Sequence, residues 1–314
     1  MDRSDPILRR LKLSDLRLLE AVVQRGSMAR AASSLNISQP AVSKAIAALE
    51  RMLNVRLLDR TPTGVEPTIY GRTLLNGGTA VFDELRQSLK QLRHMTDPNA
   101  GEIRIGCVQP IAIGFASALI ERVGRRHPGL RFHVEEADTT TLKQRELRAR
   151  KADMILARSA IPCPEPDIEA EALFNDPLRV VVGTTSPWAR RRVVRLSDLA
   201  GEPWAIPPYD GVVGALIREA FAGSGVELPD PAVTTYSIPV NVNLLRAGRH
   251  ISIMPNSLIY LRAREFGLKA LPIVLPHRPS TMAILTLKNR TLSPVAHLFM
   301  EAARDLGKLL AAHG

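Results

Sequence analysis

Cysteine is scarce in this chain: there are two, Cys107 and Cys163, with no C-x-x-C spacing. That excludes a disulfide scaffold and a zinc ribbon and fits a reducing compartment. The seven histidines are scattered, with no H-E-x-x-H pair, and neither a P-loop nor a G-x-S-x-G elbow occurs. No metal, cofactor or catalytic constellation is therefore expected. Aromatic residues make up only 4%, so the cores must rest on Leu, Ile, Val and Ala. Long apolar runs are missing too. The longest uncharged stretch, Ile105 to Ile120, has 16 residues and is interrupted by Gln109-Pro110, short of the roughly 18 that a spanning helix needs. The chain opens Met1-Asp2-Arg3-Ser4-Asp5-Pro6 with no apolar stretch behind it. No signal peptide is expected, and the reading is of a soluble, cytoplasmic protein.

The 314 residues are 45% hydrophobic and 23% charged, a globular composition with room for two or three domains. The formal charge is +11, which suits a polyanionic partner such as nucleic acid. It is spread out, since residues 1–97 hold 15 of the basic and 10 of the acidic side chains. Charge alone does not locate a binding face.

The first sixty residues read as three short helices. Ser14 is the expected N-cap of the first, whose stripe is Leu16, Leu19 and Val23. Gly26 ends it, and Ser27 caps the next, with Met28, Ala31, Ala32 and Leu35 at helical spacing. Asn36-Ile37-Ser38 is a three-residue turn, and Ser38 caps a third helix with Pro40 in its first turn and Val42, Ala45, Ile46, Leu49 and Leu53 as core. Two short helices joined by a short turn, with small residues at the crossing, predict a helix-turn-helix. Gly64 between Pro62 and Pro67 reads as a hairpin-like wing.

Thr68 then caps a long helix to about Met95. Leu75, Phe82 and Leu89 recur every seven residues, with Leu85 and Leu92 at the offset positions, a heptad seam that asks for a partner helix. After the break at Thr96 to Gly101, strands and helices alternate: strand-like 102–106, a helix from about Ile111 to Arg126, a strand at 130–135, a helix from Thr139 or Thr140, and a strand at 153–157. That order predicts a mainly parallel sheet. A second such unit begins at Leu178, and the chain closes with a strand at 282–287 and a helix from Pro294.

The run Leu18-Leu19-Glu20-Ala21-Val22-Val23, Gly26-Ser27-Met28-Ala29-Arg30-Ala31-Ala32, Leu35-Asn36-Ile37-Ser38-Gln39-Pro40-Ala41-Val42-Ser43-Lys44-Ala45-Ile46, Leu57-Leu58-Asp59-Arg60 and Gly71 resembles the N-terminal domain of LysR-type transcriptional regulators. Ala247-Gly248-Arg249-His250-Ile251-Ser252-Ile253-Met254-Pro255 and Leu292-Ser293-Pro294 extend the resemblance over nearly the whole chain. It implies a multidomain α and α/β protein: a winged helix-turn-helix at 1–70, a linker dimerisation helix and hinge at 71–97, and a two-lobed effector module at 98–314 resembling type II periplasmic binding proteins. Lobe one would hold about 98–174 and 277–314, lobe two about 175–276. The implied partners are promoter DNA, a small-molecule effector, and other copies of the chain in a dimer or tetramer.

The residues of the third helix agree with that implication. Opposite its core face lie an amide, a hydroxyl and a cation, groups that read base edges in a major groove. The expected DNA-binding residues are Ser38, Gln39, Pro40, Ser43 and Lys44, with Arg60, Thr61 and Thr63 from the wing. Glu66 repels phosphate and is left out. The expected dimer contacts are Leu75, Phe82, Leu85, Leu89 and Leu92.

A ligand of a two-lobed fold sits between the lobes at strand ends and helix N-termini. By position the effector lining should be Val108, Gln109, Pro110, Arg158, Ser159, Tyr209, Asp210, Gly211, Ser237, Ile238 and Pro239. Many relatives bind small carboxylates, and Arg158 could hold one. Val108-Gln109 stands where the family often has Ser or Thr. Cys107, at the end of the first strand, reads as a buried structural thiol rather than a redox sensor. A transport receptor with an N-terminal oligomerisation arm and an enzyme on a two-lobed scaffold are the competing readings. The opening segment and capped basic third helix weigh against the first, and the missing catalytic motifs against the second.

Overall fold

The computed structural model describes residues 6–61, 64–97 and 100–312, with the backbone alone at Arg60 and Thr96. The chain divides into two compact units, Met1–Ser88 and Leu89–Gly314.

The first unit carries α1 (Pro6–Arg10), α2 (Leu13–Arg25), α3 (Met28–Leu35), α4 (Gln39–Leu53), the hairpin β1 (Leu58–Thr61) with β2 (Gly64–Pro67), and the start of α5 (Ile69–Thr96). Local chemistry sets these boundaries. The Ser27 hydroxyl accepts the Arg30 N–H at 3.5 Å, and Gly26 takes the left-handed conformation behind α2. Asn36 takes the same conformation after α3, at φ 55°. The start of α2 differs from the expectation at Ser14: the helix begins at Leu13, and the Asp15 carboxylate reaches back to the Lys12 N–H at 3.0 Å. A carboxylate at the third helical position reaches back to the N–H of the residue that precedes the helix. Leu19, Val22, Ala31, Val42, Ile46 and Leu49 form the core, and Leu74 and Leu75 of α5 pack against it. Gly71 allows that docking, because a Cβ there would lie 2.1 Å from the Leu57 carbonyl oxygen.

The second unit holds the end of α5 and two α/β lobes. Lobe one begins with β3 (Gly101–Cys107), then α6 (Gln109–Ile111), a π-helical turn at Ala112–Ala116 and α7 (Ser117–Arg126). It continues with β4 (Leu130–Glu136), α8 (Thr139–Thr141), a second π-helical turn at Leu142–Leu147, β5 (Met154–Arg158) and β6 (Ile168–Asn175). Lobe two contains β7 (Leu178–Gly183), 3-10 turns at Pro187–Arg190 and Leu196–Leu199, β8 (Ala205–Ile206), α9 (Val212–Gly223), β9 (Val233–Thr234), α10 (Ile238–Arg246), β10 (Ile251–Pro255), α11 (Asn256–Phe266) and β11 (Leu268–Ala270). The chain returns to lobe one through β12 (Thr281–Leu287) and α12 (Pro294–Ala311).

The lobe-one sheet has the order β4-β3-β5-β12-β6. Only β4-β3 and β3-β5 pair parallel, and β12 is antiparallel to both its neighbours. The sheet is therefore mixed rather than mainly parallel, because β12 re-enters from the other lobe in the opposite direction. In lobe two, β7 lies between β10 and β11 with both pairings antiparallel. Short elements such as α1, β8 and β11 were not anticipated, nor were two longer ones. Strand β6 carries Ala at two of its eight positions and offers little apolar alternation. Helix α11 begins directly after strand β10 with no polar cap side chain.

Lobe one is filled by Ile103, Ile105, Phe115, Leu119, Leu156 and Phe299, and lobe two by Val180, Val182, Trp204, Ile217 and Phe221. The C-terminal part of α5 is tied to lobe one by charge. Lys90 Nζ lies 3.6 Å from Asp153 and 3.7 Å from Glu102, and Asp153, 1% exposed, also meets Arg290 at 3.4 Å. Among the described residues no helix is long and apolar enough to cross a membrane.

Candidate nucleic-acid interface and effector cleft

Helix α4 is two-sided. Val42, Ile46 and Leu49 are 0–3% exposed, while Ser38, Gln39, Pro40, Ala41, Lys44, Ala47, Ala48 and Arg51 are exposed and Ser43 is half-buried. The Ser38 hydroxyl accepts the Ala41 N–H at 3.3 Å. The exposed rim is therefore held on a capped, core-anchored helix, and its amide, hydroxyl and ammonium groups project from one end. A groove 12 Å wide, about that of duplex DNA, admits such a helix. In the wing, the Thr61 hydroxyl donates to the Gly64 carbonyl at 3.3 Å and stiffens the hairpin. Arg60 lies on β1, its side chain outside the described atoms, and Thr63 lies outside the described residues. Arg30 on α3 is exposed and was not singled out; a cation at the third position of a capped helix was the available signal.

The expected cleft residues divide into three groups. Gln109 and Ile238 meet directly: the Ile238 N–H donates to Gln109 Oε1 at 2.8 Å, joining the lobes at the first residue of α10. Ser237 caps that helix, accepting the Val240 N–H at 3.4 Å, and Pro239 is exposed beside it. Val108 and Pro110 are half-buried at the end of β3. Tyr209, Asp210 and Gly211 form the approach to α9. The Tyr209 hydroxyl donates to the Pro229 carbonyl at 2.7 Å, and burial followed by the Asp230 charge pushes its phenol up to about 12. A Cβ at Gly211 would lie 2.4 Å from the hydroxyl of the exposed Tyr236, whose side chain would have to swing aside. Asp210 is exposed.

Arg158 and Ser159 serve the hinge instead. Arg158 Nη2 lies 2.7 Å from Asp176 Oδ2, and its Nε donates to the Ser280 hydroxyl at 2.7 Å. Asp176, 1% exposed, also accepts the Ser257 N–H at 2.7 Å and hydroxyl at 2.8 Å. Asp176 and Ser280 stand on the two crossovers between the lobes, and Ser257 on α11 of lobe two. The cation expected to hold a carboxylate is thus matched by an internal one. The Ser159 N–H donates to the Thr281 carbonyl at 3.1 Å, again at a crossover. A second interlobe tie escaped the sequence reading: Arg262 of α11 donates to the Ile113 carbonyl at 3.2 Å and the Ser117 hydroxyl at 2.7 Å. No local signal marks such a pair, because its members are about 145 residues apart.

Two family models match the chain. One, described as the bacterial regulatory helix-turn-helix protein, lysR family, covers residues 13–72, and the other, the LysR substrate binding domain, covers residues 96–308. The chain belongs to the LysR family. It is a DNA-binding transcriptional regulator with an effector-binding module. Similar proteins include the HTH-type transcriptional regulator GbpR of Azospirillum brasilense, 25% identical over 94% of this chain and 86% of that one. Another is the transcriptional dual regulator GltC of Bacillus subtilis, 26% identical over 93% and 95%. Among solved structures, full-length BenM is 25% identical with a TM-score of 0.53, over 95% of this chain and 97% of that chain. Full-length CbnR complexed with its target DNA is 22% identical with a TM-score of 0.53, over 95% and 100%. These relatives are regulators, not enzymes or transport receptors.

On this LysR-family chain, the five residues of the heptad reading fall on two sides of α5. Leu75 packs into the core of its own reading head, and the Phe82 ring lies 5.2 Å beneath the Arg17 guanidinium of α2. Leu85, Leu89 and Leu92 are 45%, 54% and 59% exposed, with Val81 and Met95 exposed beside them.

Cys107 is fully buried, and desolvation with the nearby Glu136 charge pushes its thiol up to about 12. A thiol held protonated is a poor nucleophile. At pH 8 a maleimide is expected to leave Cys107 unmodified in the native protein and to label it in urea; mass spectrometry showing rapid native labelling would mean that β3 opens. Cys163 is half-buried and donates to Glu165 at 2.9 Å, while Lys143 holds the other oxygen of that carboxylate at 2.8 Å. These two bonds lower the Glu165 carboxyl to about 2.

Proposed function

We propose that this LysR-family regulator reads its operator with Ser38, Gln39, Pro40, Ser43 and Lys44 of α4 and with Arg60, Thr61 and Thr63 of the wing. The observation that carries the reading is the exposed polar end of a helix whose other face is sealed into a core. The functional division follows the reading head at 1–70, the linker helix at 71–97 and the effector module at 98–314, with lobes at about 98–174 plus 277–314 and about 175–276. Two linker helices pair along Leu85, Leu89 and Leu92 and set two reading heads on a pseudo-palindrome. Further association of effector modules gives a tetramer. The protein works in the cytoplasm and catalyses no reaction.

A gel shift with the chain's own upstream region against random duplex tests this reading, and no preference between the two would refute it. Gln39→Ala is expected to cost about 1–3 kcal/mol of operator binding, roughly 5- to 150-fold, and to relax base preference at one position per half-site. Equal weakening on operator and random duplex would place Gln39 on phosphate instead.

The effector sits between the lobes, bordered by Val108, Gln109, Pro110, Tyr209, Asp210, Gly211, Ser237, Ile238 and Pro239, with Arg158 and Ser159 acting through the hinge. Its binding changes assembly geometry only through unequal affinity for two states. A carboxylate effector would need its own counter-charge. Arg158 supplies none, because Asp176 already neutralises it at 2.7 Å, and this favours an effector whose polar group is uncharged.

A further inference from the structure

The wing is held from outside its own hairpin. Where the chain leaves α4 and enters β1, Glu50 Oε1 accepts the Leu57 N–H at 2.8 Å and the Leu58 N–H at 3.2 Å. Glu50 is half-buried on α4, and Leu57 and Leu58 are 1% and 7% exposed. Deprived of that oxygen, two backbone donors at the foot of the wing would be left unpaired beside a core. The other side of the same segment is gripped by Thr68, the residue before α5. Its N–H donates to the Leu57 carbonyl at 2.9 Å. Its hydroxyl donates to the Arg56 carbonyl at 2.7 Å and accepts the Gly71 N–H at 3.1 Å. Farther along, the Val65 N–H of β2 donates to the Gly26 carbonyl at 3.1 Å. The foot of the hairpin is thus clasped between α4 and α5, and its return strand is tied to the turn before α3. Of these ties, the Glu50 pair is the one that reaches the helix carrying Gln39, Ser43 and Lys44.

We propose that Glu50 is a positioning residue for operator reading. Its carboxylate oxygen sets the angle of the wing to α4, so that Gln39 and Lys44 on the helix and Arg60 and Thr61 on the wing meet one duplex at a fixed spacing. This rests on the reading of α4 and the wing as the DNA-binding surface. Glu50 itself stays off the duplex. It lies about 16 Å along α4 from Gln39, and the oxygen faces the chain's own N–H groups rather than a phosphate, which a carboxylate would repel. Arg60 stands two residues beyond Leu58 on β1, so a tilt at Leu58 is carried straight to it. The two bonds demand an acceptor with the reach of a glutamate side chain. A glutamine supplies one, whereas an aspartate is one methylene short. A wing fixed in advance also avoids the ordering cost of settling a loose hairpin on DNA.

Variants of the full-length chain test this on its own upstream region. Glu50→Gln is expected to bind that operator within about twofold of wild type, because the acceptor is kept. Glu50→Asp keeps the charge and loses the reach, and Glu50→Ala loses both. Each is expected to weaken operator binding by about 5- to 150-fold, the range for one lost groove contact. Hydrogen exchange at the Leu57 and Leu58 amides should quicken about tenfold in these two and stay near wild type in Glu50→Gln. The deciding measurement is a double-mutant cycle. Arg60→Ala should lower operator affinity in the wild type and have almost no further effect in Glu50→Asp, while Gln39→Ala should cost the same in both. Glu50→Asp, the milder change, carries the cycle if Glu50→Ala does not fold. Additive effects of Arg60→Ala and Glu50→Asp would overturn the proposal, since a glutamate that only stabilises the head leaves the wing contacts intact in the folded protein. Weak binding by Glu50→Gln beside normal binding by Glu50→Asp would also overturn it, by making the charge what matters. An Arg60→Ala without effect in the wild type refutes the wing reading itself and the proposal with it, whereas an Arg60 effect that persists undiminished in Glu50→Asp refutes the positioning alone.

Discussion

Asp176→Ala is expected to lower the stability of the effector module by about 3–5 kcal/mol, the usual cost of breaking a buried ion pair from one side. The carboxylate is 1% exposed and accepts from Arg158, from the Ser257 N–H and from the Ser257 hydroxyl, each within 2.8 Å. Removal leaves the Arg158 guanidinium, 10% exposed at its side chain, desolvated with only Ser280 as a described partner. It also strands a donor in the first turn of α11. Asp176→Asn keeps an acceptor for Ser257 while removing the charge, so its cost should fall between those of wild type and alanine. Both tryptophans, Trp188 and Trp204, lie in lobe two. Urea titration followed by their fluorescence therefore reports on the lobe that Asp176 anchors. A loss below about 1 kcal/mol would mean that Arg158 finds water on relaxation, as an exposed pair would.

The same hinge shows which parts of the protein a sequence can disclose. The reading head was legible because its signals are local: Ser27 and Ser38 cap the helices that follow them, Gly26 and Asn36 take left-handed turns, and Val42, Ile46 and Leu49 fall on one face within two turns. The error at Ser14 was of two residues: Lys12 is the N-cap, and Asp15 reaches back to its N–H. Arg158 was recognised as a cation at a strand end, but its role depends on Asp176 and on Ser280, which is 122 residues away. Likewise the direction of β12 is set by where the chain returns from lobe two, and Thr281–Leu287 carries no mark of being antiparallel. Gln109 was placed in the cleft by its position after the first strand. That it bonds Ile238 across 129 residues could not be read from either segment. Caps and stripes are properties of a window, whereas charge partners and crossovers are properties of the fold.

Leu89→Asp is expected to leave each reading head folded and to abolish tight operator binding. Leu85, Leu89 and Leu92 follow i, i+4, i+7 spacing on α5 and are 45–59% exposed, a stripe that a second helix would bury. An aspartate at its centre would bring two carboxylates together across a two-fold axis in an apolar seam, which is costly for both copies. Sedimentation should show a smaller species. Operator affinity should fall by about 10²–10⁴-fold, the factor that linkage of two binding heads contributes. Random-duplex binding by a single head should change far less. Phe82→Asp separates this from a local effect, since Phe82 lies under Arg17 of its own chain at 5.2 Å. An aspartate there exchanges a cation–ring contact for an ion pair at the same guanidinium. Its effect on assembly should therefore be smaller than that of Leu89→Asp. If Phe82→Asp dissociated the protein while Leu89→Asp did not, the paired surface would lie on the face of α5 that carries Leu75 and Phe82, and the exposed leucines would need another partner.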